Sequence, residues 1–163
     1  MSMPRLERET RKKRPFDLPQ QAVVLNVLRD NELFQHRFGQ LFREYGLTQP
    51  QYNALRILRG EGGPLPCLEV ASRMIAVVPA ITRLLDKLEA RDLITKRQDA
   101  GDRRVWNVAI TSKGLNLLAK LDKPLLDMYR ALCGHMTKTE CNQLVKLLEK
   151  ARQRITPESP ESS

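Results

Sequence analysis

Two histidines, three cysteines and no long apolar run are what this 163-residue sequence has least of. His36 and His135 stand in no metal-binding motif, and Cys67, Cys133 and Cys141 are an odd set without ligand spacing, so no metal site is expected. There is no P-loop, no dinucleotide-binding glycine pattern and no nucleophile elbow. With no convergent acid, base, nucleophile or metal set, the chain is not expected to be an enzyme or to carry a cofactor. No apolar run approaches the length of a membrane span, and the charged N-terminal stretch leads into no signal-peptide core. A cytoplasmic chain with no membrane partner is therefore expected. In a reducing compartment the three cysteines read as free thiols buried as small hydrophobes, with redox sensing as the alternative.

Basic charge, by contrast, is abundant. Lys and Arg total 28 against 19 Asp and Glu, a net charge of +9. That balance favours polyanionic partners, nucleic acid first and an anionic membrane surface second. Part of it lies in RETRKKRPFDLP (residues 8–19), a basic run that makes residues 1–18 read as a flexible arm able to brush phosphates without reading sequence.

Gln20 to about Tyr45 reads as a long amphipathic helix. Its Val24, Leu28, Phe34, Phe38, Leu41, Phe42 and Tyr45 form a stripe wide enough for two packing surfaces. Gly46 supplies the stop. Thr48 and Gln51 have capping-box spacing, with Leu47 and Tyr52 placed as a hydrophobic staple. Ala54, Leu55 and Leu58 carry that second helix to Gly60, Gly62 and Gly63. PLPCLEVASRM gives a short third helix with Leu68, Val70, Ala71 and Met74 inward, followed by a corner through Ile75 to Val78.

PAITRLLDKLEARDLI comes next, with Ile81, Leu84, Leu85 and Leu88 on one face and Thr82, Arg83, Asp86 and Lys87 largely off it. In KRQDAGDRRVWNVAI two short strands flank a polar tip, and Trp106, Val108 and Ile110 alternate with Asn107 and Ala109. Three short helices with a hairpin behind them outline a winged helix-turn-helix, whose last helix enters the major groove.

After Thr111 a further helix keeps Leu115, Leu118, Leu121 and Leu125 in register, and Pro124 should kink or split it. Gly134 ends it. Thr137 and Glu140 then form a second capping box, with Cys141, Leu144, Leu148, Ala151 and Ile155 as a buried stripe. The expected class is mainly α with a small β-hairpin wing: a winged helix-turn-helix with N- and C-terminal dimerisation helices. The arm spans 1–18, the first dimerisation helix 19–46, the DNA-binding domain 47–112, the C-terminal dimerisation helices 113–155 and a disordered tail 156–163. The terminal helices carry more apolar stripe than one small domain can cover, so a two-fold homodimer is expected.

LTQPQYNALRIL, EVASRM, ITRLLDKLEARDLI and DAGDRRVWNVAITSKG together resemble the multiple-antibiotic-resistance regulator (MarR) family of bacterial transcription factors, over about residues 20–155. The resemblance implies a homodimeric winged-helix regulator of double-stranded DNA, a repressor or an activator with repression the expected role, on a short palindromic operator. It also implies release by a small, often aromatic, effector or by thiol oxidation. By position, Asp102 and Arg104 match the wing pair whose arginine enters the minor groove, with Arg103 beside them for phosphate. Pro79, Ala80, Thr82 and Arg83 match positions of the recognition helix that face the major groove. Arg83 is the best candidate for a bidentate guanine contact, the alternative being a solvated ion pair with Asp86. His36, Arg37, Tyr52 and Arg56 are candidate effector-lining residues, the alternative being ordinary surface and core positions.

Three departures from the family pattern stand out. IAVVPA makes the entry to the recognition helix apolar, fit for thymine methyls or, more simply for Val77, for burial in the corner. Asp92 replaces a glycine, and Trp106 replaces an aliphatic residue at the root of the wing. A different function class, a winged module meeting an acidic protein partner, would show no preference for one DNA sequence over another.

Overall fold

A computed structural model of the chain describes residues 5–11 and 13–155. Its elements are α1 (Arg5–Glu9), α2 (Pro19–Glu44), α3 (Gln49–Glu61), β1 (Leu65–Pro66), α4 (Cys67–Ser72), α5 (Ile81–Glu89), β2 (Ile94–Gln98), β3 (Trp106–Ile110), α6 (Ser112–Cys133) and α7 (Lys138–Arg152). The described residues fall into two compact units, divided between Ala119 and Lys120 within α6. The expected class, mainly helical with a small wing sheet, is the one observed.

The first unit is built on α3, which is secured at both ends by its own sequence. At its start the Gln51 amide donates to Thr48 Oγ1 (3.4 Å) and the Thr48 amide to Gln51 Oε1 (2.9 Å), closing both halves of the capping box. Gly62 at φ +74° receives its end. The preceding turn is as well defined: Gly46 sits at φ +67°, its N–H donates to Arg43 O, and the Leu47 N–H reaches back to Phe42 O. That bond pattern closes α2 and drives Leu47 inward. Ala54, Leu55 and Leu58 of α3 are buried together with Val70 of α4, Leu85 and Leu88 of α5, and Val108 of β3. Tyr52 stacks on Phe42 with ring centroids 4.3 Å apart.

The sheet has three antiparallel strands in the order β1-β3-β2, with Leu65 opposite Val108 and Lys96 opposite the other edge of the same residue. β1 goes beyond the expected hairpin. Two residues carry no alternation, so only their pairing with β3 makes them a strand.

Several side chains depart from their sequence-based placement. Leu68 faces solvent at 80% exposure, because α4 is one short turn with Val70 as its inward residue. Val77 is 94% exposed, so the corner does not bury it. Pro124 neither splits nor ends α6, which runs unbroken from Ser112 to Cys133: a missing N–H removes a single rung of a long helix. No residue of α7 is buried: of the expected stripe Cys141 is half-buried, and Leu144, Leu148, Ala151 and Ile155 are exposed. Within the basic arm, Arg5–Glu9 is helical, with Leu6 and Glu7 buried and Glu7 Oε1 accepting from the Phe16 amide at 3.2 Å. The expected tail, 156–163, lies outside the described residues.

Asp92 occupies the left-handed region at φ +57° and ends α5, its N–H donating to Glu89 O while the Leu93 N–H reaches Leu88 O. Its ion pair with Lys113 is exposed at both ends and adds little. Asp92→Gly is therefore expected to stabilise the fold by about 0.5–1 kcal/mol, by removing the Cβ penalty of that conformation. A higher urea midpoint at unchanged m-value would show it.

Candidate nucleic-acid interface

On α5, Leu85 and Leu88 are buried and Ile81 and Leu84 half-buried, which turns Thr82, Arg83, Asp86 and Lys87 to solvent. Pro79 and Ala80 precede the helix and are exposed. Ala80 occupies the N-cap and provides no side-chain hydrogen bond, so no capping side chain competes at the electropositive end of this helix. Arg83 has a free approach from solvent. Asp86, its expected alternative partner, is bound instead by Lys96.

The tip between β2 and β3 is organised by Asp99. Its Oδ1 accepts from the amides of Gly101 (2.9 Å) and Asp102 (3.1 Å), and its Oδ2 from Asn107 Nδ2 (2.9 Å). Those bonds hold its carboxyl below the ordinary range, the Gly101 amide contributing most. The turn so fixed projects Arg103 and Arg104. Asp102 Oδ1 accepts from Arg104 Nε (3.1 Å) and from the Arg104 amide (3.0 Å), and Oδ2 accepts from Nη2 (3.1 Å). This is a fork-on-carboxylate pair at the outermost point of the hairpin, with the Arg104 side chain 90% exposed. The guanidinium holds the Asp102 carboxyl low as well. Since its folded value is depressed, the pairing is present above the ordinary aspartate range and lost only as pH falls through the lowered value. At neutral pH the fork is fully formed.

Between helix and wing sits Lys96, whose side chain is only 12% exposed. Its Nζ bonds Asp86 Oδ1, lies 3.8 Å from Glu89 Oε2 and stands 5.5 Å from the Trp106 ring centroid. The Lys96 amide donates to Glu89 Oε1 at 3.1 Å. At the root of the wing, Trp106 thus meets the lysine that α5 holds.

An exposed polar helix face and an arginine-tipped hairpin, both rooted in one core, match a known group of proteins. The MarR family model matches residues 47–106. The chain is 32% identical over 111 residues to YkoM of Bacillus subtilis (strain 168), named an HTH-type transcriptional regulator, covering 67% of this chain and 70% of that protein. The chain belongs to the MarR family. It is also 23% identical over 128 residues to the homoprotocatechuate degradative operon repressor of Escherichia coli, covering 78% of this chain and 86% of that one. Among solved structures, Bordetella bronchiseptica BpsR, whose DNA binding is described as regulated by 6-hydroxynicotinic acid, has the same fold (TM-score 0.73, 23% identity, 86% of this chain and 99% of that one). MarR proteins are transcriptional regulators that bind DNA.

The four candidate effector residues of this MarR protein lie in different settings. Tyr52 is buried in the stack on Phe42, whereas His36 and Arg37 are exposed on α2. Arg56 is exposed and donates to Asn53 Oδ1 through Nε (3.3 Å) and Nη2 (2.8 Å). All three cysteines are free and half-buried, and burial pushes the Cys67 thiol up. A protonated thiol is a poor nucleophile at neutral pH. Among the described residues no His, Cys, Asp and Glu side chains gather as a metal site, and no helix is long and apolar enough to cross a membrane.

Sequence reasoning missed Asp99 and Lys96 as organisers. Asp99 had a local signal, an Asp two residues before a glycine in a turn. Lys96 had none, because its partners lie on another element.

Proposed function

We propose that this MarR-family regulator is a homodimer that represses transcription by reading a palindromic operator. α5 lies in the major groove through Pro79, Ala80, Thr82 and Arg83. The wing reaches the adjacent minor groove through Arg104, with Arg103 on phosphate. The observation that carries the reading is the Asp102–Arg104 fork, a preorganised and exposed guanidinium at the hairpin tip. A narrow minor groove concentrates negative potential and draws such a group in. The repressor role follows the name of the Escherichia coli relative. Release by a small ligand follows the description of BpsR, with exposed His36, Arg37 and Arg56 able to meet a carboxylate.

Two apolar surfaces support the dimer. On α2, Val23, Val24, Leu25, Val27 and Leu28 are exposed, and on α7 Leu144, Val145, Leu147 and Leu148 are exposed. Contiguous apolar surface of this kind is covered by a partner in stable proteins, and a second copy with the same surfaces is the simplest cover.

Selection from a random duplex library should enrich an inverted repeat with half-site centres about one helical turn apart, bound by two chains. Binding of random duplexes as tightly as the enriched one would favour the protein-partner module instead. In sedimentation equilibrium the chain should run at twice its 18.7 kDa mass. The Leu144→Glu, Leu148→Glu double variant should run as a monomer and lose most operator affinity. A wild-type monomer at micromolar concentration would refute the dimer.

A further inference from the structure

The DNA-reading proposal does not use Lys96, a side chain that touches both halves of the interface. From β2 it engages two carboxylates of α5, Asp86 and Glu89, and the indole of Trp106 on β3. Lys96 lies opposite Val108 and Trp106 opposite Gln98, so lysine and indole are diagonal neighbours across the β2–β3 ladder. Nearly all of the lysine is covered, while Asp86 and Glu89 are half open to solvent. A cation held in that setting cannot swing out to a phosphate without giving up both carboxylates. Its charge is spent inside the protein.

Charge and geometry agree on what that does. Asp86 and Glu89 lie on the helix that would meet a polyanion, where unpaired carboxylates would be repelled. Lys96 neutralises them from the side and ties the helix to the hairpin. The Lys96 amide bond to Glu89 adds a main-chain link at the same point. Arg83 projects from the helix so tied, and Arg104 from the hairpin.

We infer that Lys96 is a positioning residue that locks the wing to the recognition helix, so that Arg83 and Arg104 engage DNA as one unit. This rests on the reading that α5 and the wing bind DNA. Two arginines on a rigid frame are energetically coupled, because placing one places the other. On a loose hinge each would bind for itself.

The test is a double-mutant cycle on the full chain, using the duplex that wild type enriches from a random library. Arg83→Ala and Arg104→Ala are measured singly and together, first with Lys96 and then with Lys96→Met. The lysine variant alone should bind about tenfold more weakly, with the coupling between the two arginines reduced to none. Lys96→Arg should restore both. The slope of log affinity against log salt should not change, whereas loss of a phosphate contact would lower it by about 0.9 per site.

Asp86→Asn provides a second route, leaving the lysine in place and removing its main partner. It too should abolish the coupling, with the urea midpoints of all variants confirming folded protein. Unchanged affinity in Lys96→Met, a lowered salt slope, or coupling that survives either substitution would each overturn the inference. So would tighter binding by Asp86→Asn with coupling intact, since Asp86 would then act by repulsion alone. If wild type enriches no duplex, the DNA-reading proposal itself has failed, a result distinct from all of these.

Discussion

Arg104→Ala is expected to bind the selected operator roughly 10- to 100-fold more weakly than wild type while leaving the urea midpoint unchanged. The two halves of that expectation come from one geometry. The guanidinium is almost wholly exposed, and its partner Asp102 is half exposed. An ion pair in that position contributes little to folding. For binding, the same exposure is an advantage. Asp102 holds the side chain through both carboxylate oxygens and also fixes the Arg104 amide, so ordering entropy is largely spent before DNA arrives. The loss should be greatest where A·T-rich flanks narrow the minor groove, and the salt slope should fall. A fluorescence anisotropy titration at several salt concentrations reads all three effects. Equal binding by wild type and variant would remove the wing from the interface.

Gly114→Ala is expected to destabilise the protein by about 2–3 kcal/mol, a large share of the stability of a small domain. The third residue of α6, Gly114 lies where the helix start meets the end of the sheet. A Cβ built there would fall 2.4 Å from the Leu93 carbonyl oxygen and 2.7 Å from Ile110 Cγ1. The first of these is backbone, and it already accepts the Thr111 N–H at 3.1 Å. Thr111 Oγ1 in turn accepts from the Gly114 amide (3.1 Å) and donates to Asp92 O (2.7 Å). Relief of the clash must therefore move the joint that carries the wing. Gly60→Ala is the matched control: it sits within α3, a Cβ there meets nothing within 4 Å, and helix propensity alone should stabilise by up to about 1 kcal/mol. Urea unfolding of the pair should give shifts of opposite sign. A neutral Gly114→Ala would mean that the joint yields freely.

Much of this protein is written in local patterns. The capping boxes at Thr48–Gln51 and Thr137–Glu140, the stop at Gly46, the inward face of α5 and the hairpin about Asp99–Asp102 all depend on residues within a few positions of one another. Such signals survive in a one-dimensional string because hydrogen bonds and helical repeats act over those distances. The Asp102–Arg104 fork belongs to the same class, two residues apart on one turn. What marks that pair as the strongest candidate for DNA contact is the resemblance to the MarR wing.

What needed the tertiary structure was whatever depends on which elements meet. β1 is a strand only because β3 lies beside it. Leu68 and Val77 are apolar by sequence and exposed in fact, since periodicity says which residues share a face but not whether anything covers it. The apolar stripe of α7 poses the same question at the scale of a whole helix, and a second copy is the proposed answer. Lys96 is the sharpest case: the sequence shows one more basic residue in a basic hairpin, and only the packing of α5 against β2 turns it inward onto Asp86, Glu89 and Trp106. Hydrogen bonds and helical periodicity over a few residues set the pieces of the candidate interface, and burial, which acts between residues far apart in sequence, decided how they are held together.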